Sequence, residues 1–151
     1  MKRLKIYLDT SVPNAYYDTR NLERQQITKR FWKKLNEYQI FISDLTIEEI
    51  KATGDVNLRQ NLLNLIKEFK QLSSNTEEVN FLARQYVTRG IIPSTHIEDA
   101  IHIAVASISL LDILVSWNFE HIVKLKTKRE VNVVNVLLGY HQIEIIEPAI
   151  L

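Results

Sequence analysis

Leu4-Lys5-Ile6-Tyr7-Leu8-Asp9-Thr10-Ser11 is the stretch on which the fold turns. Its short β-favouring run stops at Asp-Thr-Ser, the pattern of a buried strand that empties into a polar turn. Asp9 therefore stands at a strand's carboxyl end. Working outward, Gln39 to Ser43 reads as a second strand, and a helix begins directly after it at Asp44-Leu45-Thr46. Ile113 to Ser116 reads as a third strand and opens on Ser116-Trp117-Asn118. Shorter apolar pieces at Lys70–Leu72 and Ile143–Ile146 complete the strand set.

Helical spacing fills the gaps between them. Ile27, Phe31, Trp32 and Leu35 recur at that spacing within 21–38, and Leu58, Leu62, Leu65, Ile66 and Phe69 do so within 57–69. Thr76 opens a helix that runs through Arg89 and is ended by Gly90. The most apolar helix extends from about His96 to Leu111, and another occupies much of 122–140. Strands alternating with helices predict an α/β fold, a mainly parallel sheet covered on both faces in three α/β/α layers. In such a sheet the binding crevice lies at the strands' carboxyl ends. All three convincing strands end in polar loops there.

Composition bounds the rest. The 151 residues, 46% of them hydrophobic and only three of them glycine and three proline, predict one domain over 1–151. Nineteen basic residues against 18 acidic ones leave a net charge of +1, so no global field draws the molecule to polyanions. The absence of cysteine excludes disulfides, thiolate metal sites and thiol nucleophiles. The basic start, Met1 to Lys5, meets Asp9 after too short an apolar run for a signal-peptide core. No stretch approaches the roughly 20 apolar residues that span a bilayer. The expectation is a cytoplasmic protein with no membrane association.

Three acids stand out. Asp9 is either a helix N-cap or a functional carboxylate, and Thr10 and Ser11 are equally able to cap. Glu49 belongs to a capping box if Thr46 is the cap, but sits deeper in the helix if Ser43 is. Glu48 points about 100° away from it, so one of the pair faces the crevice. Asp99 is the most informative. A Thr95-His96-Ile97-Glu98 capping box accounts for Glu98 and leaves Asp99 unexplained, in the first turn of a helix that is apolar nearly all round. Carboxylates about 5 Å apart repel by roughly 3 kcal/mol per pair at an effective dielectric near 20. Apposed acids therefore require a cation or raised pKa values. Hard oxygen ligands suit Mg²⁺ or Mn²⁺, which leads to hydrolytic phosphodiester cleavage.

The order of these blocks resembles the PIN-domain family, the fold of VapC-type toxin ribonucleases. Ile6-Tyr7-Leu8-Asp9-Thr10-Ser11-Val12 resembles the family's opening strand and acid, and Leu45-Thr46-Ile47-Glu48-Glu49-Ile50 its second acid. Asp99-Ala100-Ile101-His102-Ile103-Ala104-Val105-Ala106 is similar to its third acid and small-residue helix. Leu114-Val115-Ser116-Trp117-Asn118-Phe119 resembles its fourth block. The resemblance spans nearly the whole chain. It implies an RNA-cutting, metal-dependent enzyme with Asp9, Glu49 and Asp99 as ligands, Ser11 as a polar helper, RNA as substrate, a cognate antitoxin and a homodimer. Asn118 departs from the pattern by standing where the fourth acid belongs; it offers a carbonyl oxygen but no charge.

Asn118 thus joins the candidate catalytic set, and Ser11, Asn14 and Ser116 are candidate substrate contacts. Glu120 substitutes for the missing acid if its turn brings it inward. His102 shares a helical face with Asp99 and reads as a hydrogen-bonded structural histidine. Two basic runs, Arg30-Lys33-Lys34 and Lys124-Lys126-Lys128-Arg129, either follow a phosphate backbone or form solvated helix faces. Trp117, Tyr16 and Tyr17 either stack on bases or pack in the core. The alternative to an RNA-cutting enzyme is a PIN-fold binding module with weakened catalysis. An aspartyl-phosphate phosphatase ranks last, since Ser11 stands where that chemistry wants a second acid.

Overall fold

In the computed structural model, which describes residues 2–151, five parallel strands form the central sheet. They are β1 (Lys5–Leu8), β2 (Gln39–Ser43), β3 (Lys70–Leu72), β4 (Ile113–Val115) and β5 (Glu144–Ile146), in spatial order β3-β2-β1-β4-β5. Ile6 pairs with Ile40 on one side and Ile113 on the other, so β1 is the central strand. Seven α-helices cover the sheet: α1 (Ser11–Tyr17), α2 (Leu22–Trp32), α3 (Asp44–Lys51), α4 (Val56–Ile66), α5 (Glu77–Thr88), α6 (Ile97–Ile108) and α7 (Leu125–Leu137).

Side-chain alternation along the strands divides the core into two layers. Tyr7, Phe41, Leu114 and Ile145 pack under α5, α6 and α7. Ile6, Leu8, Ile40, Ile42, Ile113 and Val115 pack on the other face with Val12 of α1, Phe31 of α2, Ile50 of α3 and Leu62 of α4. This is the three-layer α/β/α arrangement expected from the strand and helix alternation. Because β1 is flanked by β2 on one side and β4 on the other, the chain reverses its direction of winding between β1 and β4. A crevice opens at the carboxyl ends of strands at that split, and Asp9 and Ser116 follow those two strands directly.

Three local readings change. The helix expected over 21–38 stops at Trp32: the Lys33 amide is shared between the Lys29 and Arg30 carbonyls, the Lys34 amide bonds the Phe31 carbonyl three residues back, and a separate 3₁₀ turn follows at Leu35–Glu37. The polar turn after Asp9 is itself the start of α1, where Pro13 lies in the first turn and its missing N–H has no intrahelical partner to lose. The apolar helix expected from His96 to Leu111 is α6, which ends at Ile108. Leu110, with φ 59°, takes the left-handed position usually given to glycine, while the Leu110 and Leu111 amides bond the Ser107 and Ala106 carbonyls.

Candidate metal centre

Each acid is delivered by a different piece of local structure. Asp9 follows the central strand and is almost wholly buried. Its Oδ1 accepts the Ser11 hydroxyl at 2.5 Å and the Ser11 amide at 3.1 Å, and its Oδ2 accepts the Ser116 hydroxyl at 2.6 Å. Burial pushes the Asp9 carboxyl above its ordinary pKa; His102 and the two serine hydroxyls oppose this, and the charge of Asp99 adds to it. Among the described residues the side chain is held by hydroxyl and amide donors.

Glu49 comes from α3. Ser43 is the cap of that helix, in a reciprocal box with Thr46, so the box proposed for Thr46 and Glu49 does not form and Glu49 is free for the crevice. Thr10 donates to Glu49 Oε1 at 2.7 Å, and His102 Nε2 lies 2.6 Å from the same oxygen. The other His102 nitrogen, Nδ1, is 2.6 Å from the Tyr7 hydroxyl, which is 2.8 Å from Ser43 Oγ. Burial alone would raise the Glu49 carboxyl, but the His102 hydrogen bond and charge, together with Thr10, bring it below its ordinary value. Tyr7 is pushed strongly upward by complete burial. His102 is the structural histidine expected from its place on α6, and its partner is Glu49.

Asp99 stands in the first turn of α6, half-buried. Its Oδ2 accepts from Asn118 Nδ2 at 3.2 Å. Burial raises its carboxyl, against the opposing influence of His102, His121, Asn118 and His96. The Thr95–Glu98 box is not formed, because a 3₁₀ turn at Ser94–His96 precedes the helix and His96 is the cap residue without a side-chain bond.

Asp9, Thr10, Ser11, Asn14, Glu49, Asp99, His102 and Asn118 together line one open cleft of about 340 Å³. The structure thus brings six predicted site residues to one place. Ser116 is the exception: it is fully buried, and its hydroxyl is given to Asp9 while accepting the Asn118 amide at 2.9 Å. It does not line the cleft where a substrate contact was expected. Asn118 also differs from expectation. Its Oδ1 accepts the His121 amide at 2.9 Å, which leaves one lone pair of that oxygen, and its Nδ2 faces Asp99.

Trp117 is buried, its indole donates to Thr28 at 2.9 Å, and Arg24 covers its ring, so base stacking is not open to it. Arg30, Lys33 and Lys34 line a separate groove with Pro148, Ala149 and Leu151, away from the acids. Glu120 is exposed beside His121 and does not line the cleft.

The donor chemistry fits a hard divalent ion. Glu49 receives both its hydrogen bonds on Oε1 and Asp99 its one on Oδ2, so among the described residues Oε2 and Oδ1 keep their lone pairs. Oxygen donors of this kind, on a polar cleft floor, match Mg²⁺ or Mn²⁺. The three acids share the cleft without closing to single-ion distance. Among the described residues, the one trio of possible ligands whose donor atoms all lie within 4.8 Å of one another is His96, Asp99 and His121. Sequence reasoning placed His96 near Asp99 but missed His121, which lies beyond β4.

Comparison with solved structures follows the same line. FitAcB from Neisseria gonorrhoeae is similar over 97% of this chain and 99% of the other, with a TM-score of 0.62 and 14% identity. VapBC2 from Rickettsia felis, bound to a DNA fragment from its promoter, covers 95% and 98% at 0.56 and 10% identity. DNA-bound VapBC from Salmonella typhimurium covers 96% and 98% at 0.56 and 16% identity. The fold is PIN-like. No protein-family model and no curated protein matches the sequence. The likeness to these structures therefore lies in the fold.

Proposed function

We propose that this chain is a metal-dependent endoribonuclease that hydrolyses RNA phosphodiester bonds and acts as the toxin of a toxin-antitoxin pair. One observation carries the reading: Asp9, Glu49 and Asp99, from three distant parts of the chain, line a single cleft at the reversal point of the sheet. Their shared negative charge is difficult to explain as structure, because burial works against ionisation of both Asp9 and Asp99. Similarity to chains of toxin-antitoxin complexes supports an antitoxin partner and a homodimer.

In this reading Asp9, Glu49 and Asp99 hold Mg²⁺ or Mn²⁺. An ion bound there supplies Lewis-acid charge to a phosphodiester and a more acidic water. Ser11 and Ser116 fix the Asp9 carboxylate, Thr10 and His102 keep Glu49 ionised, and exposed Asn14 at the rim contacts the RNA backbone. Among the described residues His102 is the one basic side chain that lines the cleft, so a bound ion would supply the positive charge that a substrate phosphate needs there.

The experiment is cleavage of a labelled RNA by the purified protein with Mn²⁺ and with chelator. Cleavage should require the ion and disappear in Asp99→Asn with the fold retained. Equal cleavage by the variant would sink the proposal. A second reading, a binding module with weakened catalysis, is favoured by Asn118, which brings no charge to the cleft where a fourth acid was expected. RNA retention without Mn²⁺ binding at millimolar concentration would select it.

A further inference from the structure

We propose that His96, Asp99 and His121 form a second metal site, distinct from the Asp9–Glu49–Asp99 cleft in its two imidazoles, and suited to a borderline transition ion such as Zn²⁺. One nitrogen of each ring and one Asp99 oxygen lie within 4.8 Å of one another. The two rings stand 4.2 Å apart at 34°. His121 is 11% exposed in its side chain, and its Nε2 is buried with no hydrogen-bond partner, unique among buried side-chain polar atoms of the described residues. A buried polar nitrogen left unpaired is costly, and a bound cation removes that cost.

The local fold explains how the trio assembles. Asn118 Oδ1 captures the His121 amide and turns the chain after β4, while the 3₁₀ turn at Ser94–His96 brings His96 to the start of α6. Asn118, uncharged itself, thus helps by this contact to place an imidazole beside Asp99. Two imidazoles and a carboxylate leave an open fourth position, the ligand pattern of Zn²⁺ and not of Mg²⁺. Glu120 Oε1 lies 3.7 Å from His121 Nε2 and is 84% exposed in its side chain, so a further oxygen donor is at hand. Tetrahedral Zn²⁺ holds its donors roughly 3.4 Å apart at bond lengths of about 2.1 Å. His96, being exposed, supplies most of the inward movement. Asp99 belongs to both sites, so Zn²⁺ and a hard ion in the cleft compete for it.

The test is calorimetric titration of the full chain with ZnCl₂ in Mg²⁺-free buffer, repeated on His96→Gln, His121→Gln and Asp9→Asn. One equivalent should bind, each histidine variant should bind roughly tenfold more weakly or worse, and Asp9→Asn should bind as the parent does. Co²⁺ in place of Zn²⁺ should give visible absorption bands that both histidine variants lose. His96 is exposed, so its variant folds even if His121→Gln does not. Absence of binding, or binding lost in Asp9→Asn but kept in His96→Gln, overturns the site and leaves the Mn²⁺-dependent cleavage assay untouched.

Discussion

The two walls of the cleft are built on opposite principles. On the Glu49 wall, a continuous chain of partners runs from Thr10 through Glu49, His102 and Tyr7 to Ser43, with contacts of 2.6 to 2.8 Å and nearly complete burial behind the carboxylate. On the Asp99 wall, one 3.2 Å bond from Asn118 is the only hydrogen bond to the carboxylate among the described residues, and two histidines stand beside it. The consequence is electrostatic. Glu49 is favoured in its charged form, whereas Asp99 is disfavoured. A cation held in the cleft would gain its anchor at Glu49 and relieve a penalty at Asp99.

Substitution of the disfavoured acid is the severest way to break this contrast. Asp99→Asn should reduce Mn²⁺-dependent RNA cleavage on the order of 10²- to 10³-fold. In chelator the same variant should melt at a higher temperature than the parent, since a penalised charge has been removed. A lower melting temperature would mean that Asp99 is structural.

The favoured wall should respond in the other direction. His102→Ala strands the Tyr7 hydroxyl and Glu49, and leaves a cavity in a buried helix face. Loss of about 3 kcal/mol in urea unfolding is expected. A loss below about 1 kcal/mol would show that the chain of partners contributes little.

Titration of stability in chelator sharpens the comparison further. The Glu49 carboxyl is depressed in the folded state, so its contribution is present above the ordinary glutamate value and fades as pH falls through the folded one. The Asp99 carboxyl is raised, so its penalty is full above the folded value and vanishes as pH falls towards the ordinary aspartate value. Glu49→Gln should thus be less stable than the parent at pH 7, and Asp99→Asn more stable. Both differences should shrink towards pH 3. Differences of the same sign at pH 7 would remove the distinction between the walls.

The smallest effect belongs to Asn118→Asp. A carboxylate there still accepts the His121 amide, so the turn survives, but it adds like charge beside Asp99. Stability in chelator should drop by about 1 kcal/mol, while Mn²⁺ should bind about tenfold more tightly by calorimetry. Unchanged Mn²⁺ affinity would place position 118 outside the ion's reach.

How much of this was legible in the sequence follows from the range of each interaction. All five strands were readable, because parallel strands buried on both faces leave short apolar runs bounded by polar turns, as at Ile6 to Asp9. The acids were readable for the same reason: Asp9 and Asp99 interrupt apolar contexts that local capping does not fully explain. What escaped was tertiary. The choice between Ser43 and Thr46 as cap depends on β2 ending at Ser43, and that choice frees Glu49. Likewise, Ser116 looks exposed as a loop residue, yet its hydroxyl is drawn inward by Asp9, 107 positions away. His102 was legible as a structural histidine, but its partner on α3 was not, since nothing local links positions 49 and 102. α1 was hidden by Pro13 and Asn14, whose turn-like character is compatible with a helix's first turn.

The proposed function requires oxygens of Asp9, Glu49 and Asp99 to draw together on one hard cation. Anomalous diffraction from crystals grown with Mn²⁺ tests it most directly. A peak bounded by these three carboxylates is the predicted result. A cleft free of anomalous density at millimolar Mn²⁺, or density confined to His96 and His121, would contradict it.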